Sequence, residues 1–246
     1  PQYRAEPFPA PQDVLESGGL WGVAADAAEK AALLKSTGIN MNLAPVCDLP
    51  RSPDDYIAPR AFGTDEPQVS AAVSAAAASY AENGLICALK HFPGYGNNAD
   101  THVGIATDTR SLESLERADL QPFFDGIAAG GNAILVSHNI VTALDADAPA
   151  SLSQAVHRYL RLAMGFDGVI MTDDLSMEAI TQRYGAGEAA VLAVLAGNDL
   201  LCSTDYETQY RAVLDACADG RISEDTLNQA AGNVLRWKQA MGLDIG

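Results

Sequence analysis

Two carboxylates and one histidine in this sequence have the types and spacing that nucleophilic and acid–base catalysis require. Asp173 ends the apolar run Gly168–Asp173, so it would lie at the rim of a strand, where a carboxylate can attack an electrophilic carbon. Asp100 and His102 are two residues apart, so in an extended segment both side chains project to the same side. A carboxylate bonded to one imidazole nitrogen fixes the tautomer and raises the basicity of the other nitrogen. This pair therefore predicts a proton donor and acceptor for use near neutral pH.

Each of these residues also has a purely structural interpretation. Asp100 and His102 stand in a long connection rich in turn-forming residues, and they could merely decorate a solvated loop. Asp173, Asp174 or Ser176 could cap the helix that follows. We expect Asp174 or Ser176 to be the cap, and Asp174 to point away from Asp173, because successive strand residues face opposite sides. Capping does not easily account for both carboxylates.

The elements that must position these groups alternate between apolar runs and helix-like stretches, which predicts βα units and a largely parallel sheet. Five buried strands are predicted, at Gly38–Leu49, Leu85–Phe92, Ala133–His138, Gly168–Asp173 and Asp199–Cys202. The predicted helices are Leu20–Thr37, Pro67–Asn83, Leu112–Ala129, Ser153–Ala163, Met177–Ala196, Tyr206–Ala218 and Glu224–Met241. With no linker and no internal repeat, residues 1–246 are expected to form one domain.

Polar side chains recur directly after the predicted strands, where a periodic core gives no reason for them. They are Asp48, Lys90, His91, Ser137, His138, Asp173 and Asp174. In parallel α/β folds the carboxyl ends of the strands converge on the functional site, so we expect the site there. His138 is left with two interpretations, as a residue that lines the pocket or as a hydrogen-bonded core histidine. His157, on a predicted helix, is expected to be structural or exposed.

Composition narrows the classes of function. The 32 acidic residues outnumber the 15 basic ones, and the resulting charge of −17 repels phosphate backbones, so no nucleic-acid partner is expected. Apolar runs fall short of a membrane span. We expect no metal and no cofactor, because neither a metal-ligand spacing nor a glycine-rich phosphate loop is present. Four cysteines without paired spacing are interpreted as small buried hydrophobes, which leaves the compartment open.

Taken in chain order, the motifs resemble glycoside hydrolase family 3, in its β-N-acetylglucosaminidase branch. They are Gly38–Asp48, Arg60–Gly63, Lys90–His102, Val136–His138 and Asp167–Met177, and together they span nearly the whole chain. The resemblance implies a (β/α)8 barrel of the TIM type. Such a barrel needs about eight strands, and five are counted, so we expect this chain to lack the front of its barrel, about three strands.

The resemblance also implies roles for the catalytic residues. Asp173 matches the nucleophile, His102 the histidine that serves as acid/base in this branch, and Asp100 the aspartate that orients it. The implied activity is that of a retaining exo-β-N-acetylglucosaminidase, which removes terminal N-acetylglucosamine from glycans or peptidoglycan fragments through a covalent glycosyl-aspartate. Because a neutral imidazole does not repel an anion, phosphate could compete with water as the second nucleophile. A monomer or weak oligomer is expected.

For substrate binding, the resemblance implies that Lys90 and His91 bind sugar hydroxyls and that Arg60 also contacts the sugar. We add Asp48 and His138 to this set as candidates. Two departures from the family pattern stand nearby. The loop between Gly96 and Asp100 is one residue shorter than the commonest form, and Tyr95 stands where a histidine is frequent.

Three alternatives remain open. A β-glucosidase or β-xylosidase of the same family commonly takes its acid/base from a second domain, whereas this chain carries Asp100 and His102 in a loop. A barrel aldolase would use Lys90 as a Schiff base, which requires an apolar environment for its amine. An inactive sugar-binding relative would have no need of Asp173, since binding alone requires no nucleophile.

Overall fold

The computed structural model describes residues 6–96 and 104–246, which form an α/β structure around a parallel sheet. The strands are β1 (Met41–Asn42), β2 (Ile86–Phe92), β3 (Thr107–Asp108), β4 (Ala133–Val136), β5 (Ile140–Val141) and β6 (Val169–Thr172). The main sheet has the order β1-β2-β4-β6, with every neighbouring pair parallel, and β3 pairs with β5 in a second small parallel sheet. This is the arrangement of a partial barrel.

The central strands are apolar runs because both faces of the sheet are covered. All residues of β4 and β6 are buried, as are all of β2 except the partly buried Lys90. Continuous apolar runs of this kind are typical of parallel strands packed on two sides. The predicted strands Leu85–Phe92, Ala133–His138 and Gly168–Asp173 are therefore confirmed, with their ends trimmed by one or two residues.

Two predicted strands are only partly formed. The run Gly38–Leu49 contains β1 and an isolated bridge between Val46 and Lys90, because Pro45 has no N–H to give to the ladder. The run Asp199–Cys202 lies beside β6, and Leu200 forms a single parallel bridge to Met171. The prediction of full strands there was wrong within the described residues.

The helices are α1 (Pro11–Ser36), α2 (Glu66–Glu82), α3 (Leu112–Ser114), α4 (Gln121–Ala128), α5 (Gln154–Arg158), α6 (Glu178–Tyr184), α7 (Ala186–Ala196), α8 (Tyr206–Ala218) and α9 (Glu224–Ala240). The stretch Met177–Ala196, predicted as one helix, is α6 and α7, since Gly185 breaks it with φ +73°. The stretch Leu112–Ala129, predicted as one helix, contains α3, a short π-helix at Leu115–Asp119 and α4. Each of the described helices is too short or too polar to cross a membrane.

The helices cover one face of the sheet closely. Helices α1, α2, α4 and α5 contribute to a core that includes Leu89 of β2 and Ile170 of β6. A Cβ atom at Gly126 would lie 2.9 Å from Val73 Cγ1 and 3.0 Å from Leu89 Cδ1, so only a glycine lets α4 approach α2 and β2 this closely. On the other face, Trp237 of α9 packs against the sheet. The sheet is thus packed on both faces, and the carboxyl ends of its strands lie along one edge of this packed core.

Candidate active site

The carboxyl ends of the strands bring together five residues that the sequence analysis singled out. They are Asp48, Arg60, Lys90, His91 and Asp173. Asp48 lies two residues after Val46, which bridges to Lys90. Arg60 ends a short 3-10 helix, Ala58–Arg60, and Asp173 directly follows β6. Residues more than 120 positions apart in the sequence thus face one another because the strands are parallel and adjacent.

Asp48, His91 and Arg60 form a chain of hydrogen bonds. The Asp48 carboxylate is fully buried, and its Oδ2 lies 2.7 Å from His91 Nδ1. Arg60 Nη2 lies 3.2 Å from His91 Nε2. A guanidinium can only donate, so Nε2 accepts and Nδ1–H donates to Asp48, which fixes one neutral tautomer of His91. Both ring nitrogens of His91 are occupied, and the residue is 3% exposed.

Lys90 lies close enough to Asp48 and Asp173 for both carboxylates to influence its amine. Its side chain is partly buried at the end of β2, and its amino group forms no hydrogen bond with any residue in the described part of the chain. Burial lowers the pKa of Lys90 and the nearby Arg60 guanidinium lowers it further, against the opposing influence of Asp173 and Asp48. The environment is therefore charged as well as desolvated, and the amine keeps donors available for an incoming ligand.

Asp173 lies half-buried on a backbone that is fixed by its neighbours. Its N–H donates to Val136 O at 3.0 Å, which continues the ladder of β4 and β6, and its Oδ1 accepts from Asp174 N at 2.9 Å. The second oxygen, Oδ2, has no hydrogen-bond partner among the described residues. A carboxylate held on one side and free on the other is suited to attack a bound carbon.

Asp174 organises the turn after β6, but it does not cap a helix. Its Oδ1 accepts from Ser176 N at 2.8 Å and from Thr204 N at 3.3 Å. Burial raises the pKa of Asp174, but these donors outweigh burial and hold the pKa below its ordinary value. Helix α6 begins after Met177 without a side-chain cap, so the expectation that Asp174 or Ser176 caps it was wrong. Asp174 instead ties the turn after β6 to the segment that contains Thr204.

His138 lies behind this turn rather than at its surface. The ring is fully buried, with Nδ1 at 2.8 Å from Ser151 Oγ and Nε2 at 2.9 Å from the Asp174 carbonyl oxygen. A carbonyl only accepts, so Nε2 donates and Nδ1 accepts from Ser151. These two hydrogen bonds support the interpretation of His138 as a hydrogen-bonded core histidine, and its place among the substrate-binding candidates stays a prediction.

Asp100 and His102 lie outside the described residues, but the chain just before them is well defined. Tyr95 is buried, its N–H donates to Asp48 Oδ1 at 2.7 Å, and its ring meets His91 edge-on with centroids 5.2 Å apart. Gly94 O accepts from Asn139 Nδ2 at 3.3 Å. Asp48 therefore organises both the binding residues and the start of the loop.

Sequence reasoning missed a second group of charged residues beside this loop, consisting of Arg51, Asp108, Arg110 and Asp119. Burial lowers the pKa of Arg110, but its hydrogen bond with Asp108 and the charge of Asp119 outweigh burial and raise it. One signal was available in the sequence: Asp119 stands four residues after the apolar Leu115, and both side chains are buried.

At the opposite, amino end of the sheet lies a cavity of about 780 Å³ between α5, α7 and α9. Its central charged pair, Arg161 and Asp199, is already engaged. Arg161 donates to the carbonyl oxygens of Phe166 and Gly168 and to Asp199 Oδ2, and Asn233 donates to Asp199 Oδ1 at 2.6 Å. Its size does not make it the candidate site, because Arg161, Asp199 and Asn233 already hydrogen-bond one another and the backbone.

His157, also at this cavity, confirms the expectation of a structural residue. It is buried, its Nδ1 donates to Ser153 O at 2.7 Å, and burial lowers its pKa. The four cysteines are free, and Cys47 and Cys87 are buried as expected. Within residues 6–96 and 104–246, no cluster of three or more His, Cys, Asp or Glu side chains is arranged to hold a metal ion.

Comparison with known proteins identifies the family. Residues 8–237 match the family described as "Glycosyl hydrolase family 3 N terminal domain". The chain belongs to glycoside hydrolase family 3. The resemblance inferred from the motifs is thereby confirmed, together with the TIM-type α/β fold.

Among curated relatives, a β-hexosaminidase of Xylella fastidiosa is 41% identical over 84% of this chain. The β-hexosaminidase LpqI of Mycobacterium tuberculosis is 34% identical over 97% of this chain. The chain spans 62% and 63% of the lengths of these two proteins. A family 3 β-N-acetylglucosaminidase from a Paenibacillus species superposes with a TM-score of 0.91 at 35% identity, over 99% of this chain and 47% of that one.

Proposed function

We propose that this chain is the catalytic barrel domain of a retaining exo-β-N-acetylglucosaminidase. The observation that carries the proposal is the convergence of Asp173, Lys90 and Arg60 at one rim, with Asp48 and His91 supporting them from below. The names of the relatives support N-acetylhexosaminides as substrates, since two of them, at 34% and 41% identity, are β-hexosaminidases.

In the first step, ionised Asp173 attacks the anomeric carbon while His102 protonates the departing glycosidic oxygen. The covalent glycosyl-aspartate that results is broken when the now neutral His102 removes a proton from water, and the water oxygen displaces Asp173. Asp100 orients the imidazole through a hydrogen bond. His102 donates one proton to the leaving oxygen in the first step and takes one from water in the second, so the enzyme returns to its starting state.

Lys90 and Arg60 hold the sugar, and His91 acts chiefly through Arg60. Because both nitrogens of His91 are engaged, its role in this proposal is to orient the guanidinium rather than to bind a hydroxyl directly. Binding energy from these donors positions the anomeric carbon over Asp173, so that the attack takes place within one oriented complex. In the second step, phosphate could replace water as the acceptor of the glycosyl group from Asp173.

The proposal is tested with a panel of nitrophenyl glycosides and the intact gene product. We expect turnover of the β-N-acetylglucosaminide and far slower turnover of the β-glucoside and the β-xyloside. Labelling with 5-fluoro-N-acetylglucosaminyl fluoride, followed by mass spectrometry, should modify the peptide that contains Asp173. The Asp173→Ala variant is the control and should remain unlabelled. A label on another residue, or equal turnover of the glucoside, would contradict the proposal.

The role of His102 has a separate test. The His102→Ala variant should slow substrates with poor leaving groups far more than substrates with activated ones, because only the former need a proton in the transition state. Equal slowing of both kinds would exclude His102 as the acid while leaving Asp173 untouched. Tight sugar binding without turnover of either kind would favour the inactive sugar-binding relative.

A further inference from the structure

A compact cluster of four charged residues lies beside the candidate site and outside the residues that bind sugar in the proposed function. Arg110 Nε lies 3.0 Å from both carboxylate oxygens of Asp108, and its Nη2 lies 2.5 Å from Asp108 Oδ2. Its Nη1 donates to Asp119 Oδ2 at 2.8 Å, and Arg51 donates to the same oxygen. The Asp108 and Asp119 side chains are almost fully buried. Two cations and two anions therefore balance one another in a desolvated place.

Arg110 also packs against Gly96, the last described residue before segment 97–103. A Cβ atom on Gly96 would lie 2.5 Å from Arg110 Nη2 and 2.9 Å from Cζ, so the guanidinium rests on the bare Cα. Gly96 has φ +54°, which favours glycine for a second reason. A Cβ on Gly94 would likewise lie 3.4 Å from Asp119 Cβ. The upstream flank of the segment is thus seated on the cluster at two points.

The downstream flank is joined to the same guanidinium through Asp108. This residue belongs to β3, whose carbonyl oxygen at Asp108 accepts from Thr142 N at 2.9 Å, so its position is fixed by β5. Arg110 N also donates to Asp108 Oδ1 at 2.9 Å. A single planar group therefore contacts the chain on both sides of residues 97–103, which include Asp100 and His102.

We propose that Arg110 is a positioning residue for the acid–base pair, because it holds the chain at Gly96, just before segment 97–103, against Asp108 of the fixed strand β3. The inference rests on the proposed function of Asp100 and His102. Arg110 itself touches no reacting atom. Loss of Arg110 leaves the buried Asp108 carboxylate without its arginine and leaves Asp119 with Arg51 alone, and it removes the contact at Gly96. We expect acid catalysis by His102 to weaken as a result.

The test compares Arg110→Gln with wild type in the intact gene product, with aryl β-N-acetylglucosaminides whose leaving groups range from activated to poor. We expect Arg110→Gln to slow the poor leaving groups at least about tenfold more than the activated ones, since a misplaced general acid is worth less to the reaction. Arg110→Lys keeps the charge without the planar fork and should show the same selectivity to a smaller degree.

Arg161→Gln provides the matched control. Arg161 pairs with the almost fully buried Asp199 at the other end of the sheet, so this variant also breaks an arginine–aspartate network. It should lower the melting temperature and slow every substrate by the same factor or not at all. A general loss of stability is thereby separated from a loss of acid catalysis.

The outcomes are distinguishable. If His102→Ala discriminates between leaving groups and a folded Arg110→Gln does not, the positioning role is wrong and the proposed function stands. If His102→Ala shows no discrimination, the acid–base assignment itself fails. Should Arg110→Gln not fold, Arg110→Lys decides, and unchanged or uniformly reduced rates in that variant would overturn the inference.

Discussion

The two ends of the parallel sheet both carry buried aspartates paired with a basic side chain, but the arginines at the two ends differ in how many hydrogen bonds they make. At the amino end, Arg161 donates to two carbonyl oxygens and to Asp199, and Asn233 binds the other oxygen of Asp199. At the carboxyl end, Arg60 is exposed and makes one hydrogen bond, to His91, in the described part of the chain.

Under the proposed function, this difference separates charged groups that hold the fold together from charged groups that bind the ligand. Buried polar groups in folded proteins are nearly always satisfied, so donors that remain unused in a desolvated place need an explanation. Lys90 is such a group, and its lowered pKa records the free energy that its desolvation costs. The cavity of about 780 Å³ lies at the amino end, whereas the Lys90 amine lies at the end that carries Asp173, where we propose the active site.

The largest expected difference between the two ends is in catalysis. Asp173→Asn removes the proposed nucleophile while keeping the side-chain shape, and kcat should fall by at least ~10⁴-fold. Asp199→Asn at the amino end should leave kcat within a few-fold of wild type but destabilise the fold by about 3 kcal/mol, because Arg161 loses its buried partner. Steady-state kinetics and urea unfolding of both variants measure the contrast. Comparable losses of kcat in the two variants would abolish the distinction.

The next effect concerns the chain from Asp48 to Arg60. In Asp48→Asn, an amide NH2 replaces one of two oxygens that both receive N–H donors, so His91 is driven towards the tautomer with a proton on Nε2. That proton faces Arg60, and the guanidinium is displaced from the sugar. We expect kcat/KM to fall by about 10²-fold, with much of the loss in KM. If KM and kcat both remain at wild-type values, His91 does not relay the position of Asp48.

At Lys90 we expect a smaller change in the free energy of unfolding than at Asp199, and a gain rather than a loss. Burial and Arg60 lower the pKa of this residue, so its charged form is penalised in the folded state. Lys90→Met should therefore abolish activity yet stabilise the fold by about 1 kcal/mol near neutral pH. The gain should shrink as the pH rises from the lowered pKa towards the ordinary value of 10.5, where the unfolded chain also loses its proton. Urea unfolding across this pH range measures it, and a pH-independent difference would contradict the cause.

The smallest effect belongs to His157 at the amino end. Burial lowers its pKa, so a penalty for charging the ring appears as the pH falls below about 6.5 and grows until the lowered pKa is passed. Arg161 opposes the charged ring and Asp199 favours it. His157→Phe should flatten the acidic limb of the stability curve by ~0.5 kcal/mol without changing the pH dependence of kcat. An altered kcat profile would mean that the two ends are coupled.

The sequence predicted the parts of the fold that depend on local composition. The runs that became β2, β4 and β6 were recognised because they are mainly apolar, and Asp48, Lys90, His91 and Asp173 because they stand at or just after the ends of apolar runs. Breaks set by one residue were missed, such as that at Gly185, since the apolar pattern continues across it.

Pairings between distant segments could not be predicted from spacing. Arg60 entered only through the family resemblance, and its bond to His91 joins residues 31 positions apart. Arg51 and Asp119 are 68 positions apart, so neither periodicity nor motif order indicates that they share a buried site. The fate of His138 was open for the same reason, because Ser151 and Asp174, which fix its tautomer, come from other loops.

The bare Cα of Gly96 under the Arg110 guanidinium has a practical consequence for protein engineering. A library that keeps Gly96 and Asp108 constant can vary the number and identity of residues 97–99 while both contacts with Arg110 are retained. Such a library would measure how the length of this stretch affects the preference for leaving groups, while the strands that carry Lys90 and Asp173 stay unchanged.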